Sequence, residues 1–298
     1  MDIPWDDLRL FLAVAEAGSL SGAARRLRIG QPTVSRKLAA LEYTLGATLF
    51  RRSVDGATLT SAGERLLLPA RKMADWAGEA GRAAEQRSST PTGLVRVTAP
   101  PFICVDFVAP FAAWVSRQYP GLRLEVLSAM HHLDLARGEA DLALRGRVPS
   151  QPELQLVTTR VQHNTVCVAR SLAAKLPKRP RLEDVPWVSW APPFDDLPPN
   201  PQLRELVPSY VPAFTSDNFL VLLAAAEAGA GAIVLPRERH RFSRPTPLVR
   251  LPIELGPHAT SQTHLVCAKS ALDIPRIRLV CGLLETEMKR KVSAKQKV

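Results

Sequence analysis

Apolar residues recur along the first forty positions at intervals of three and four: Leu8, Phe11 and Leu12 behind Trp5, then Leu20, Ala24 and Leu27, then Val34, Leu38 and Leu41. Each set makes one buried stripe of a helix. The pattern therefore predicts three helices around one small core. Gly18 ends the first, and the small pair Ala23-Ala24 lets the next two cross closely. Arg28-Ile29-Gly30 reads as a Gly-containing turn, with Gly30 as cap and Pro32 in the first turn of the third helix. Gly46 ends that helix, Leu49 and Phe50 return to the core, and Asp55-Gly56 predicts a hairpin turn between two short strands. Thr60 or Ser61, with Glu64, reads as a capping box. A long helix follows to about residue 87, where Leu66, Ala70, Met73, Ala77, Ala80 and Ala84 form a seam for another helix and Pro69 should bend the early turns.

After the polar stretch Arg87-Ser88-Ser89-Thr90-Pro91-Thr92-Gly93, a linker by composition, the period changes. Leu94–Thr98, Leu122–Leu127 and Asp141–Leu144 read as strands, joined by a helix from Phe102 to Gln118 and a short one over Leu133–Arg137. That alternation predicts a parallel sheet with crossover helices. A second unit begins near His163–Ala169. It continues through Trp187–Trp190, a Pro-rich loop from Ala191 to Pro201, a helix from Asn218 to Ala228 and strands Gly231–Pro236 and Thr263–Ala268. A last helix spans Ile274–Glu287.

The polar positions of the third helix change the picture. Gln31, Thr33, Ser35 and Arg36 cluster in its first two turns, where a helix-turn-helix presents its second helix to a DNA groove. An arginine forks onto guanine and a glutamine bridges adenine, each pairing contributing about 1–3 kcal/mol of discrimination. Arg51 and Arg52 sit at the base of the hairpin, placed for phosphate. An ordinary solvated face is the competing reading of these residues taken singly.

Taken together, Phe11–Leu20, Ala23–Leu27, Gln31–Arg36, Leu41-Glu42, Leu45-Gly46, Leu49–Arg52 and Leu59–Glu64 resemble the LysR-type transcriptional regulators, densely over residues 5–70 and more loosely beyond. The resemblance implies an α+β multidomain protein: a winged helix-turn-helix (1–60), a linker and dimerisation helix (61–88), a linker (89–93), an effector-binding domain (94–290) and a basic tail (291–298). The effector domain would be two α/β subdomains in the manner of periplasmic binding proteins, 94–161 with 265–290 and 162–264. The implied DNA-facing set is Ser19, Ser21, Gln31, Pro32, Thr33, Ser35, Arg36, Lys37, Arg51 and Arg52. A homodimer or homotetramer on double-stranded promoter DNA with an inverted repeat is implied too, with RNA polymerase as a further partner. Three positions depart from the family pattern. Gly30 stands where a serine often caps, Asp55 where an arginine often meets phosphate, which moves the wing contact to Arg52, and Pro100-Pro101 where a hydroxyl often holds the effector.

Ligands of open α/β sheets bind beyond the carboxyl ends of the strands. That rule and the resemblance select Pro101, Phe102, Ser128, Arg145, Trp190, Asp217 and Phe219 as effector residues. With no hydroxyl at 100 or 101, an aromatic or apolar ligand part is favoured there. Arg145 is suited to a carboxylate, with a structural salt bridge as the alternative.

Composition sets limits. A chain of 298 residues with 46% hydrophobic content has material for two or three folded domains. The net charge of +11 suggests a polyanionic partner, yet residues 1–60 hold 8 basic against 6 acidic side chains, and residues 19–60 hold 7 against 2. Much of the excess lies in Arg237–Arg250 and in the tail Lys289–Lys295, which reads as a solvated terminus. Cys104, Cys167, Cys267 and Cys281 lack metal-type spacing and read as reduced, buried thiols, Cys104 being the first candidate for a redox role. No metal site, cofactor, nucleophile elbow or phosphate loop is implied. No run reaches the length of a membrane span and the N-terminus does not resemble a signal peptide, so a cytoplasmic protein is expected. An effector-independent repressor is the main alternative, and a solute-binding protein with a fused DNA-binding domain the lesser one.

Overall fold

This computed structural model describes residues 3–53, 56–85, 91–207 and 209–290, without the side chains of 79, 82–85 and 257. Asp55, most of the interdomain linker and the basic tail therefore lie outside the described residues. The chain divides into two compact units, Met1–Ser89 and Thr90–Val298.

In the first unit α1 (Trp5–Ala17), α2 (Leu20–Leu27) and α3 (Gln31–Leu45) precede β1 (Phe50–Ser53), β2 (Gly56–Leu59) and α4 (Ser61–Glu85). Phe11, Val14, Val34 and Leu38 are fully buried at the centre, and Leu49 and Phe50 close the core as expected. Ser19 caps α2 by accepting the Gly22 N–H at 3.1 Å. The left-handed residue of the helix-turn-helix turn is Arg28 (φ 56°), not the glycine; Gly30 is extended and supplies only the cap position of α3.

The hairpin differs from its expected register. Ser53 pairs with Gly56, so Gly56 belongs to β2 and not to the turn. Its glycine serves packing: a Cβ there would stand 2.4 Å from the Gly18 carbonyl oxygen, which accepts the Ala57 N–H at 2.7 Å. Thr60 opens α4, its hydroxyl accepting the Gly63 N–H and donating to the Thr48 carbonyl. This start places Gly63 rather than Glu64 at the third helical position, so the expected capping box does not form. A Cβ at Gly63 would lie 2.3 Å from the Leu49 carbonyl oxygen, which explains the residue. The seam of α4 is divided. Leu66 and Ala70 pack into the unit's own core, whereas Met73 (42% exposed), Trp76 (49%), Ala77 and Ala80 face outward. The helix runs on through Pro69.

The second unit is built on one mixed sheet. Its elements are β3 (Gly93–Ala99), α5 (Pro101–Ile103), a π-helical turn (Cys104–Val108), α6 (Ala109–Gln118), β4 (Leu122–Ser128), β5 (Leu142–Arg145) and β6 (Leu154–Ala169). Then come α7 (Arg170–Ala173), β7 (Val188–Trp190), α8 (Asn200–Leu206), β8 (Phe214–Ser216), α9 (Phe219–Glu227), β9 (Ile233–Pro236), β10 (Leu248–Arg250), β11 (Thr260–Ala268) and α10 (Pro275–Lys289). β4, β3 and β5 are parallel neighbours, as the alternation predicted, and β11 joins β5 and β6 antiparallel. The last residues of β6 leave β11 and pair with β9 and β10. There the strand's two faces feed two cores, Cys167 and Ala169 on one side and Val166 and Val168 on the other. β6 and β11 thus bridge the halves, and the crossings fall inside these strands.

Two expected features change. Leu133–Arg137 is a turn, not a helix: Asp134 accepts the Arg137 N–H, the Glu139 carboxylate accepts the Asp134 N–H, and Gly138 (φ 68°) reverses the chain. The Pro-rich loop ends at Pro199, because Pro201 suits the first turn of α8.

Candidate functional site

The first unit offers one face built for contact. Val34, Leu38 and Leu41 hold α3 in the core, which leaves Gln31, Pro32, Arg36 and Lys37 exposed and Thr33 and Ser35 half-buried beside them. Its first two turns hold no carboxylate, and Arg36 and Lys37 have no ion-pair partner among the described residues. Ser21 is exposed on α2, whereas the Ser19 hydroxyl is taken by the cap.

The wing is fixed to this helix by Glu42, a residue the hydropathy pattern does not single out. Its Oε1 accepts the N–H groups of Leu49 (2.7 Å) and Phe50 (3.2 Å) just where the chain enters β1. Its Oε2 lies 3.6 Å from Arg52, whose other terminal nitrogen donates to the Ser35 hydroxyl at 3.3 Å. Arg52 is thereby drawn from the wing to the middle of α3, next to the expected base-reading residues. Arg51 is exposed on the other side of the strand. Arg26 pairs with Glu16 at 2.6 Å, which offsets part of the positive charge of α2.

The expected effector residues of the second unit do not converge on one cavity. Phe102, Phe219 and Trp190 pack on one another, with ring centroids 4.9 Å apart for the first two and 5.7 Å for the last two. Trp190 is further held by its indole N–H on the Pro198 carbonyl and by Asn200, which bonds both its backbone groups. Ser128 and Asp217 are exposed, and Pro101 is in the first turn of α5. Arg145 is 6% exposed and donates to the Leu133 carbonyl at 2.6 Å, its Nε making no hydrogen bond. With His131 and His132 it lines a void of about 30 Å³, roughly one water's share of liquid volume. Burial, then the guanidiniums of Arg145 and Arg147, push the His132 pKa down.

A larger cavity of about 190 Å³ opens where β6 and β11 pair near the hinge between the two halves of the sheet. Of the expected effector residues, Phe102 alone lines it. Its polar side comes from Arg160 and Gln162 on β6 and from their cross-strand partners Thr263 and Ser261 on β11. Asp106 on the π-helical turn is 6% exposed; it accepts from Arg239 and, at 2.6 Å, from the Ser243 hydroxyl. The segment after β9 is strapped down: Arg241 forks onto Glu287 (2.8 and 2.7 Å) and lies over Phe242, while His240 stacks on Phe107 at 3.9 Å. Burial, together with the adjacent guanidiniums of Arg160 and Arg239, pushes the His240 pKa down to about 3, so its imidazole is neutral at physiological pH. Sequence reading passes over these residues because a lone aspartate in an apolar helix and an arginine in a β-strand carry no motif.

All four cysteines are buried and unpaired. The Cys104 thiol donates to the Ala99 carbonyl at 3.2 Å, and burial raises its pKa. That is the opposite of what an oxidant-sensing thiolate requires. No helix among the described residues is long and apolar enough to cross a membrane.

Residues 5–64 match the family described as bacterial regulatory helix-turn-helix protein, lysR family, and residues 88–289 match the LysR substrate binding domain. The Mau operon transcriptional activator of Paracoccus denitrificans is 28% identical over 233 residues, 78% of this chain and 79% of that protein. The AhcY transcriptional activator HvrB of Rhodobacter capsulatus is 30% identical over 235 residues, 76% of this chain and 78% of that protein. A full-length OxyR variant from Pseudomonas aeruginosa shares the fold, with a TM-score of 0.68 at 19% identity over 100% of this chain and 98% of that one.

Proposed function

The chain belongs to the LysR family of transcriptional regulators, with a DNA-binding helix-turn-helix unit and an effector-binding unit, and on that premise we propose how its own residues divide the work. Gln31, Thr33, Ser35 and Arg36 read base edges from the first turns of α3, and Lys37, Arg51 and Arg52 hold phosphates. The observation that carries this reading is a carboxylate-free, outward N-terminal half of α3 with Arg52 brought against it by Glu42. Arg36 is the residue best suited to specificity, because it is exposed and its planar fork matches guanine.

The outward row Met73, Trp76, Ala77 and Ala80 on α4 is the face on which two copies associate, so that the DNA site is an inverted repeat with half-sites set by two-fold symmetry. The second unit receives a small molecule near the hinge formed by β6 and β11, and occupancy shifts the balance between packings of its halves. This assigns the protein to the cytoplasm, on promoter DNA, with RNA polymerase as the further partner.

Nuclease footprinting on the DNA upstream of the protein's own gene tests the reading. It should reveal a protected inverted repeat. Arg36→Ala should weaken binding to that repeat by about 1–3 kcal/mol at the base it reads while leaving binding to unrelated DNA unchanged. Equal loss on both DNAs would remove Arg36 from base reading.

A further inference from the structure

The turn between α2 and α3 holds two of its residues against their conformational preferences. Arg28 is left-handed (φ 56°, ψ 41°), a region that glycine enters freely and that a Cβ makes costly. Its N–H and that of Ile29 close α2 on the Arg25 carbonyl (3.3 Å) and the Ala24 carbonyl (3.1 Å). Position 28 is thus the one where such a helix end ordinarily carries glycine. Two residues on, Gly30 is extended (φ −67°, ψ 143°), and a Cβ there would meet nothing nearer than 3.7 Å. A turn chosen for stability alone would have the two residues the other way round.

Backbone strain kept at an exposed position points to a use for the side chain. Inside the protein Arg28 has none, since it is exposed and its guanidinium has no hydrogen bond or ion pair among the described residues. Arg26 is the contrast, being paired with Glu16 at 2.6 Å. No acid lies between Glu16 and Glu42 in the sequence, while Arg25, Arg26, Arg28, Arg36 and Lys37 all fall in that interval. The partner of Arg28 is therefore an anion outside the chain.

Its place selects which anion. In a docked helix-turn-helix the first helix crosses the sugar-phosphate backbone and the second enters the groove. Arg28 closes the first of these helices and stands three residues before Gln31, where the second begins. We propose that Arg28 holds a phosphate of the strand flanking the groove that α3 enters, and that folded stability is given up at this position for DNA affinity. Such a contact carries no sequence information and fixes how the reading helix is seated. The inference rests on the DNA-binding reading and adds to it a positioning residue outside α3 and the wing.

The test compares full-length wild type, Arg28→Gly, Arg28→Asn and Arg28→Lys, with Arg179→Ala, an exposed arginine of the second unit, as the control for net charge. Each is melted, and each is titrated between about 50 and 200 mM salt with two duplexes of equal length. One duplex is the DNA upstream of the protein's own gene and the other is unrelated. Glycine and asparagine both tolerate left-handed backbone, so neither variant should melt below wild type and Arg28→Gly should melt above it. Both should nonetheless bind the two duplexes several-fold more weakly, with the preference between them unchanged. The slope of log affinity against log salt should become shallower by about 0.9 for each protomer bound. Arg28→Lys should keep the slope, and Arg179→Ala should match wild type in slope and affinity. A wild-type slope in Arg28→Gly would overturn the assignment, as would an equal change in Arg179→Ala. Lower melting of both Arg28→Gly and Arg28→Asn would make the side chain structural, and loss of duplex preference at constant slope would make it a base reader. The two readings fail separately: a wild type that binds both duplexes alike contradicts the sequence-selective regulator, while the slopes still decide the role of Arg28. A wild type that binds neither duplex sinks both.

Discussion

At the scale of single residues, buried charge and buried polarity decide most of what is particular to this chain. His240 shows the consequence for stability. Its folded-state pKa is near 3, against about 6.5 for a free imidazole, so between those values the unfolded chain takes up a proton that the folded chain refuses. The stability from this group is therefore complete above about pH 6.5 and is lost as pH falls toward 3, by up to ~1.4 kcal/mol per pH unit. Urea midpoints at pH 7, 5.5 and 4 should fall more steeply for wild type than for His240→Phe, which keeps a ring on Phe107 but cannot be protonated. Parallel slopes would show that His240 is not the buried base described. None of this was legible in the sequence. His240 stands in a run of arginines, Arg237, Arg239 and Arg241, that reads as a solvated basic stretch, yet Arg239 is buried on Asp106 and Arg241 is tied to Glu287. Charge counted along a chain cannot distinguish a cation in water from one with a partner more than a hundred positions away.

At the scale of elements, legibility followed periodicity. α1, α2 and α3 appear where their apolar stripes put them, because each buries one face in a local core. β6 shows why the rest was harder. Only its end, from His163, was evident as a strand, since Thr165–Ala169 is covered on both faces. Its first half is inverted, with Thr158 and Arg160 buried while Leu156 (39% exposed) and Val161 (56%) face outward, so hydropathy points the wrong way at the candidate ligand site. The aromatic candidates Phe102, Phe219 and Trp190 were rightly placed at strand and helix ends, but apolar rings facing a gap also pack on one another. The wing makes a sharper case, because its geometry rests on a single carboxylate. Glu42→Ala would strip the acceptor from the Leu49 and Phe50 N–H groups and should destabilise the first unit by about 1–3 kcal/mol. Glu42→Gln keeps an acceptor oxygen for both and should melt within about 1 kcal/mol of wild type. Thermal denaturation of the three proteins checks the difference, and equal melting of Glu42→Ala and wild type would show that the wing is held by packing alone.

At the scale of the whole molecule, the net charge of +11 does not single out the helix-turn-helix unit, because residues 1–60 hold 8 basic against 6 acidic side chains. The DNA-facing candidates owe their character to arrangement: α3 begins without a carboxylate, and its one acid, Glu42 in the last turn, is directed to the wing. The second unit carries its buried charge differently: Arg239 is matched by Asp106, whereas Arg145 and Arg160 donate to the Leu133 and Met288 carbonyls. A regulator that reads DNA with one unit and responds to a small molecule through the other is consistent with this division. Its central claim is sequence-selective binding as a two-fold dimer through α3, and selection from a pool of random duplexes tests it most directly. The account predicts enrichment of an inverted repeat whose half-sites lie about 34–36 Å apart, or a multiple of that, with the Arg36→Ala protein losing one base preference in each half-site. Recovery of no consensus, or of a consensus unchanged in Arg36→Ala, would contradict it.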